Sequence, residues 1–175
     1  MRSPTLSTSV DQAGAGFEDR LGERLAAVVA GARRRAVRDG DNQLDTAHLL
    51  HTVVENDPRV WGAFAGGPPQ VARLLGYLVQ RTIGYGLRWS GTVEASATGA
   101  GDGLSGWSPA AAAAMAAAVG RAAARGVPLA EGPDLLAALT YDRECRAAEV
   151  LRRAGVDVDL LVTALDGEPC QLQTG

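Results

Sequence analysis

The sequence predicts an all-α protein built as two tandem four-helix repeats, packed in a pseudo-twofold arrangement and joined by a Gly-rich linker. Three observations lead there. Almost half of the 175 residues are apolar, much of that fraction being alanine, while aromatics make up only 5%. Alanine has the best helix propensity, whereas strands favour the β-branched and aromatic runs that are scarce here. Apolar residues recur at helical spacing, with glycine and proline as stops and starts. Finally, sliding the chain by 86 residues superimposes its two halves.

Residues 1–16 are rich in Ser, Thr, Gly and Ala without periodicity and read as a disordered tail. A first repeat spans 17–89. Its long helix, from about Phe17 to Arg38, places Leu21, Leu25, Val28, Val29, Ala32 and Ala36 on one face. The shift carries these to Trp107, Ala111, Ala114, Met115, Ala118 and Ala122. Both helices stop at a glycine, Gly40 and Gly126, which tolerates the left-handed conformation that ends helices. Nine residues on come Leu49-Leu50 and Leu135-Leu136, each in a second helix. Short third helices follow in "VWGAF" (60–64) and "RAAEVLRRAG" (146–155). Fourth helices lie in "PQVARLLGYLV" (69–79) and "GVDVDLLVTAL" (155–165), with Leu74-Leu75 falling on Leu160-Leu161. Residues 90–106 form the flexible linker, 107–167 the second repeat, and 168–175 a tail.

Both histidines sit in "LDTAHLLHTVVEND" (44–57). Proline at 133 marks a helix start, because its missing N–H would be unsatisfied there anyway. That makes Gly132 the N-cap in the second half and, 86 residues earlier, Thr46 the N-cap in the first, with Asp45 outside the helix. His48 and His51 are then about 60° apart on the wheel with Glu55 near both. A zincin-type box needs His-Glu-x-x-His, two ligands at i, i+4 with a base between them; here the spacing is i+3 with two leucines between. No metal is expected. His48 is expected partly buried, bonded to backbone near the cap, and His51 on the surface.

Every basic residue is arginine, so no Walker A loop, which requires lysine, is present. With the Ala and Gly excess this points to a GC-rich, actinobacterial genome. A net charge of −3 argues against nucleic acid. The cluster Arg33-Arg34-Arg35 with Arg38 spreads around its helix and reads as a solvated face. No apolar run approaches the roughly 18 residues that cross a membrane, and no signal peptide opens the chain. Cys145 and Cys170 have no redox spacing. A reduced, cytoplasmic protein is expected. "GAGDG" (99–103) follows no strand and carries no nucleotide reading, and no catalytic motif occurs.

The second half shows "WSPAAAAAMAAAVGRAAARG", "GPDLLAAL" and "AAEVLRRAGVD"; the first shows "AVRDG", "DTAHLLHTV" and "VWGAF". Over residues 17–167 this pattern resembles the double repeat of the Clp amino-terminal domain, the substrate- and adaptor-binding module of Clp-type AAA+ unfoldases. The resemblance implies a stand-alone N-domain-like binding protein without the ATPase motor. Its partners would be a peptide, an adaptor protein or a cyclic peptide natural product, and a Clp unfoldase complex is a further candidate. It also implies a hydrophobic cleft between the halves, for which Phe17, Leu21, Tyr85, Trp89 and Trp107 are the candidates. In many members the Glu of a Thr-Glu-His motif reads the guanidinium of phosphoarginine. The equivalents here are Thr46, Ala47 and His48 in the first half and Gly132, Pro133 and Asp134 in the second. Ala47 and Pro133 cannot pair with a guanidinium. No cofactor is expected. The alternative is a cofactor-free enzyme or small-molecule binder of a biosynthetic pathway, with His48 as acid and base in the cleft.

Overall fold

The structure, a computed structural model, describes residues 19–41, 43–82 and 106–167. Four helical elements fill each repeat. In the first these are α1 (Glu23–Asp39), α2 (Thr46–Asn56), the 3-10 helix η1 (Pro58–Ala63) and α3 (Gly67–Thr82). In the second they are α4 (Pro109–Ala124), α5 (Gly132–Leu139), α6 (Arg146–Arg153) and α7 (Val158–Gly167). No described helix is long and apolar enough to cross a membrane. The two tails and nearly all of the linker lie outside the described residues.

The 86-residue relation holds in three dimensions for the first two helices of each half. Leu25, Val28, Val29, Ala32 and Ala36 are buried, as are their counterparts Ala111, Ala114, Met115, Ala118 and Ala122. Gly40 and Gly126 both adopt left-handed φ, at 76° and 75°. In the fourth helix the relation slips by one residue. Leu161, not Leu160, is the buried counterpart of Leu74, and Val71 and Leu78 match Val158 and Leu165 in the same 87-residue step. Leu160 faces solvent. The step arises in the connection to the third helix, where the 3-10 turn capped by Asp57 replaces the α-helix capped by Cys145.

α1 starts six residues later than its periodicity predicts, because the chain before it is pulled straight. Leu21 forms a parallel bridge with Ala130, and its counterpart Trp107 forms one with Leu44. Gly22 donates to the Ala130 carbonyl at 2.8 Å and Ser108 to that of Leu44 at 2.9 Å. The return bonds run from Ala130 to Arg20 and from Leu44 to Gly106. Each repeat thus lends the entry to its first helix to the segment before the other repeat's second helix. This reciprocity is the pseudo-twofold arrangement expressed in hydrogen bonds.

The same seam is closed by side chains. Arg146, at the start of α6, bonds Asp45 at 2.7 Å, and Arg59, in η1, bonds Glu131 at 3.0 Å. Between the halves α2 packs on α4, α5 and α6, and α5 packs on η1. The first half buries Leu49 and Leu50 here, the second Leu135 and Leu136. Arg33 departs from the solvated-face expectation: its guanidinium lies 5.3 Å from the centroid of the half-buried Trp107 ring, across the seam.

Gly132 gives a direct test of this packing. A Cβ there would come within 2.1 Å of Oδ2 of the buried Asp57, whose carboxylate is held by Arg59. Glycine to alanine normally strengthens a helix by up to about 1 kcal/mol. Gly132→Ala should instead destabilise the protein by about 1–3 kcal/mol, the cost of overpacking. Urea unfolding of the two proteins measures the difference.

Candidate functional site

The two second helices begin alike, one residue earlier than the sequence predicts. Asp45, not Thr46, caps α2: its carboxylate accepts the His48 N–H at 3.0 Å. The Asp45 N–H in turn donates to Nδ1 of His48, also at 3.0 Å, completing a capping box with histidine in place of the usual Glu or Gln. Glu131 is the corresponding N-cap of α5, with Gly132 and Pro133 the first two helical residues. Its N–H donates to the Asp134 carboxylate at 2.9 Å. The Asp45 side chain reaches the N3 amide and leaves the Thr46 hydroxyl for another task.

That task lies in the other repeat. Thr46 Oγ1 accepts the N–H of Ala147 at 3.0 Å, satisfying one of the otherwise orphaned donors of α6. Thr46 is fully buried, Ala47 is buried, and neither presents a carboxylate. In the second half Gly132 lies beneath the Asp57 carboxylate, Pro133 is half-buried, and the buried Asp134 is paired with Arg121 and Arg125. Of the six equivalents, Thr46 and Gly132 meet the other repeat, while His48 and Asp134 are engaged within their own.

The histidines divide differently from expectation. His48, expected partly buried, is buried, with Nε2 2.7 Å from Asp41 Oδ2 and 4.0 Å from Asp39 Oδ2. Since Nδ1 accepts a backbone N–H, the neutral ring carries its proton on Nε2 and donates it to Asp41. Burial lowers its pKa, but the hydrogen bond to Asp41 and the charges of Asp45, Asp41 and Asp39 outweigh that and raise it. Both ring nitrogens are thus engaged, Nδ1 by the Asp45 N–H and Nε2 by Asp41. His51 is buried too, not on the surface, with Nε2 3.8 Å from Glu55. Burial and the positive charges of Arg35 and Arg38, with His48 behind them, push its pKa down to about 4. Glu55 gives it little relief because that carboxylate is taken by Arg35.

Of the predicted cleft residues, Leu21 is buried in its bridge and Trp107 is half-buried under Arg33. Phe17, Tyr85 and Trp89 lie outside the described residues. A pocket of about 280 Å³ opens one turn beyond Trp107. Ala110, Ala113, Ala114 and Ala117 of α4 form one wall, and Ala138, Leu139 and Tyr141 the other. Asp142, Cys145 and Thr46 complete the lining. Cys145 is buried and caps α6 through its sulfur, which accepts from Ala148 and donates to the Leu139 carbonyl. The 86-residue shift maps Ala110 onto Arg24 and Ala117 onto Gly31. Arg24 lies 3.9 Å from Asp57, so the matching surface of the first repeat is charged where this one is apolar. The missed signal was this divergence at one matched position, where Ala110 stands for Arg24 and leaves the long side chain's volume empty.

Comparison with known proteins places this architecture. No protein-family model matches the chain, and no curated protein matches it significantly. Among solved structures, the N-terminal domain of the caseinolytic protease associated chaperone ClpD from Arabidopsis thaliana is similar, at 18% identity and a TM-score of 0.62. That match covers 86% of this chain and 94% of the other. A protein solved in structural investigations of a malarial protein secretion system is similar at 16% identity and a TM-score of 0.61, covering 85% and 93%. The fold is that of a Clp N-terminal domain.

The buried His51 makes stability depend on pH with a defined sign. Its folded pKa, about 4, lies below the ordinary 6.5, so below pH 6.5 the unfolded chain takes up a proton that the folded one refuses. Stability is therefore lost as pH falls from 6.5 towards 4, by about 2 kcal/mol between pH 7 and pH 5. His48, raised instead, contributes stability that is complete below 6.5 and fades only at higher pH. Denaturant melts of wild type and His51→Gln at pH 7 and 5 should show that loss only in the wild type.

Proposed function

We propose that the chain is a binding module with the Clp N-domain fold whose alanine-lined pocket receives an apolar side chain from a peptide. The peptide is a free segment, a stretch of an adaptor protein, or a cyclic peptide natural product. The protein acts as an adaptor, a decoy or a sequestering protein, and a Clp unfoldase complex is where it would compete or assist. The carrying observation is the pocket itself: apolar, about 280 Å³, and open at the seam. That volume is close to the lower end of small-ligand pockets and suits one large side chain.

Other features support binding over catalysis. Lysine is absent from the 175 residues, so they contain no Walker A loop. His48 is locked between Asp45 and Asp41, away from the pocket lining. Reading a phosphorylated arginine is not favoured either. The Thr46 hydroxyl serves Ala147, and Ala47 and Pro133 supply no acceptor for a guanidinium.

The reading is tested by isothermal titration with short peptides and cyclic peptides rich in Leu, Phe and Trp. Ala113 lies on the exposed rim, so Ala113→Trp fills the mouth without disturbing the core. Binding should weaken by about tenfold or more in Ala113→Trp while the melting temperature holds, as expected when an apolar pocket is blocked. Trp107→Ala, which removes a seam contact outside the pocket, should lower stability and leave affinity for the peptide near wild type. Unchanged affinity in Ala113→Trp, or no binding by any peptide, would exclude the pocket as the site.

A further inference from the structure

We infer that Asp39, Asp41 and His48 form a binding site for a divalent transition cation of the zinc class. Three elements assemble it. Asp39 is the last residue of α1, and Gly40 turns the chain with φ of 76° so that Asp41 folds back beside it. That turn is held by bonds from Gly40 and Asp41 to the carbonyls of Ala36 and Val37. His48 then points its Nε2 at both carboxylates from the first turn of α2. The three donor atoms lie within 4.8 Å of one another.

Their chemistry selects the ion. One imidazole nitrogen and two carboxylates suit zinc and its neighbours, whereas Mg²⁺ and Ca²⁺ take all-oxygen shells. Bonds of roughly 2.0–2.2 Å require donors some 3–3.5 Å apart. Nε2 is 2.7 Å from Asp41 and 4.0 Å from Asp39, so the exposed Asp41 draws back and Asp39 moves in, each by roughly half an ångström, to reach that spacing. The carbonyl end of α1 adds negative potential at the same point. Solvent reaches the site past Asp41 and supplies the remaining ligands.

The outer shell is also in place. Nδ1 lies 3.1 Å from Asp45 Oδ1 as well as 3.0 Å from the Asp45 N–H. Without metal, the ring proton sits on Nε2 and is donated to Asp41. With metal on Nε2 the ring proton moves to Nδ1, which donates to Asp45 Oδ1, and the Asp45 N–H gives up its bond to the ring. The result is a carboxylate–histidine–metal arrangement made from the capping box. The competitor for Asp39 is Arg38, at 3.8 Å and well exposed. His51 faces Arg35, Arg38 and Glu55 and takes no part.

Zinc titration of the full chain by calorimetry tests the inference, with Mg²⁺ as a parallel arm. Asp41→Asn alters an exposed side chain and leaves the fold intact. Wild type should bind one zinc per chain and no Mg²⁺ at comparable concentration, and Asp41→Asn should bind zinc at least about tenfold more weakly. Two-bond ¹H–¹⁵N spectra should show His48 Nε2 changing to a metal-bound shift while His51 stays in place. Equal zinc affinity in the two proteins, an unmoved His48 resonance, or no saturable binding at all overturns it.

Discussion

Reciprocal capping across the seam is the constraint on which the rest of this structure depends. Each repeat leaves backbone donors unsatisfied at the start of its helices, and several of their partners come from the other repeat. Thr46 caps α6 from outside, and Arg146 and Arg59 tie the starts of the third helices to the caps of the second. A buried polar group without a partner costs far more than the net worth of the bond it lacks. Separating the halves would expose not only Leu49, Leu50, Leu135 and Leu136 but a set of unmatched amides and carboxylates. The apolar contacts supply most of the driving force, while the polar ones fix the relative orientation. This division explains how a seam closed mainly by leucines can be specific.

Much of the fold was legible because it is written twice. A pattern of Leu, Val and Ala at helical spacing is ambiguous in one copy, but its recurrence 86 residues on, with glycines at matched ends, removes most alternatives. What failed to appear in the sequence has a common physical origin. Helix starts are decided by one hydrogen bond, and both Asp45 and Thr46 are good caps in isolation; only the arrival of Ala147 from 101 residues away decides between them. The late start of α1 has the same cause, since Leu21 is helical by pattern yet extended because Ala130 pairs with it. The one-residue slip at Leu161 came from a change of helix type, which periodicity does not register.

The candidate sites were legible in a different way. The resemblance directed attention to residues 46–48 and 132–134, of which Thr46 and Gly132 contact the other repeat as structural members. The pocket beside them has no motif, because it is made by what is missing from alanine side chains. Likewise the helical wheel put His48, His51 and Glu55 on one side, whereas His48 reaches Asp39 and Asp41 and His51 lies by Arg35. Helical spacing establishes which side chains share a face. It does not say what the neighbouring helix brings to that face.

The two bridges, Leu21 to Ala130 and Leu44 to Trp107, are what a symmetric homodimer of single repeats would make at an isologous interface. In a homodimer every substitution is installed twice, so a change that suits one side of the interface must also be tolerated on the other. Covalent fusion removes that requirement. Thr46 and Gly132 occupy matched positions and do opposite things, one reaching out to cap a helix and the other receding to admit a carboxylate. A single chain carrying both halves is thereby free to keep one side charged and closed while the other opens a pocket.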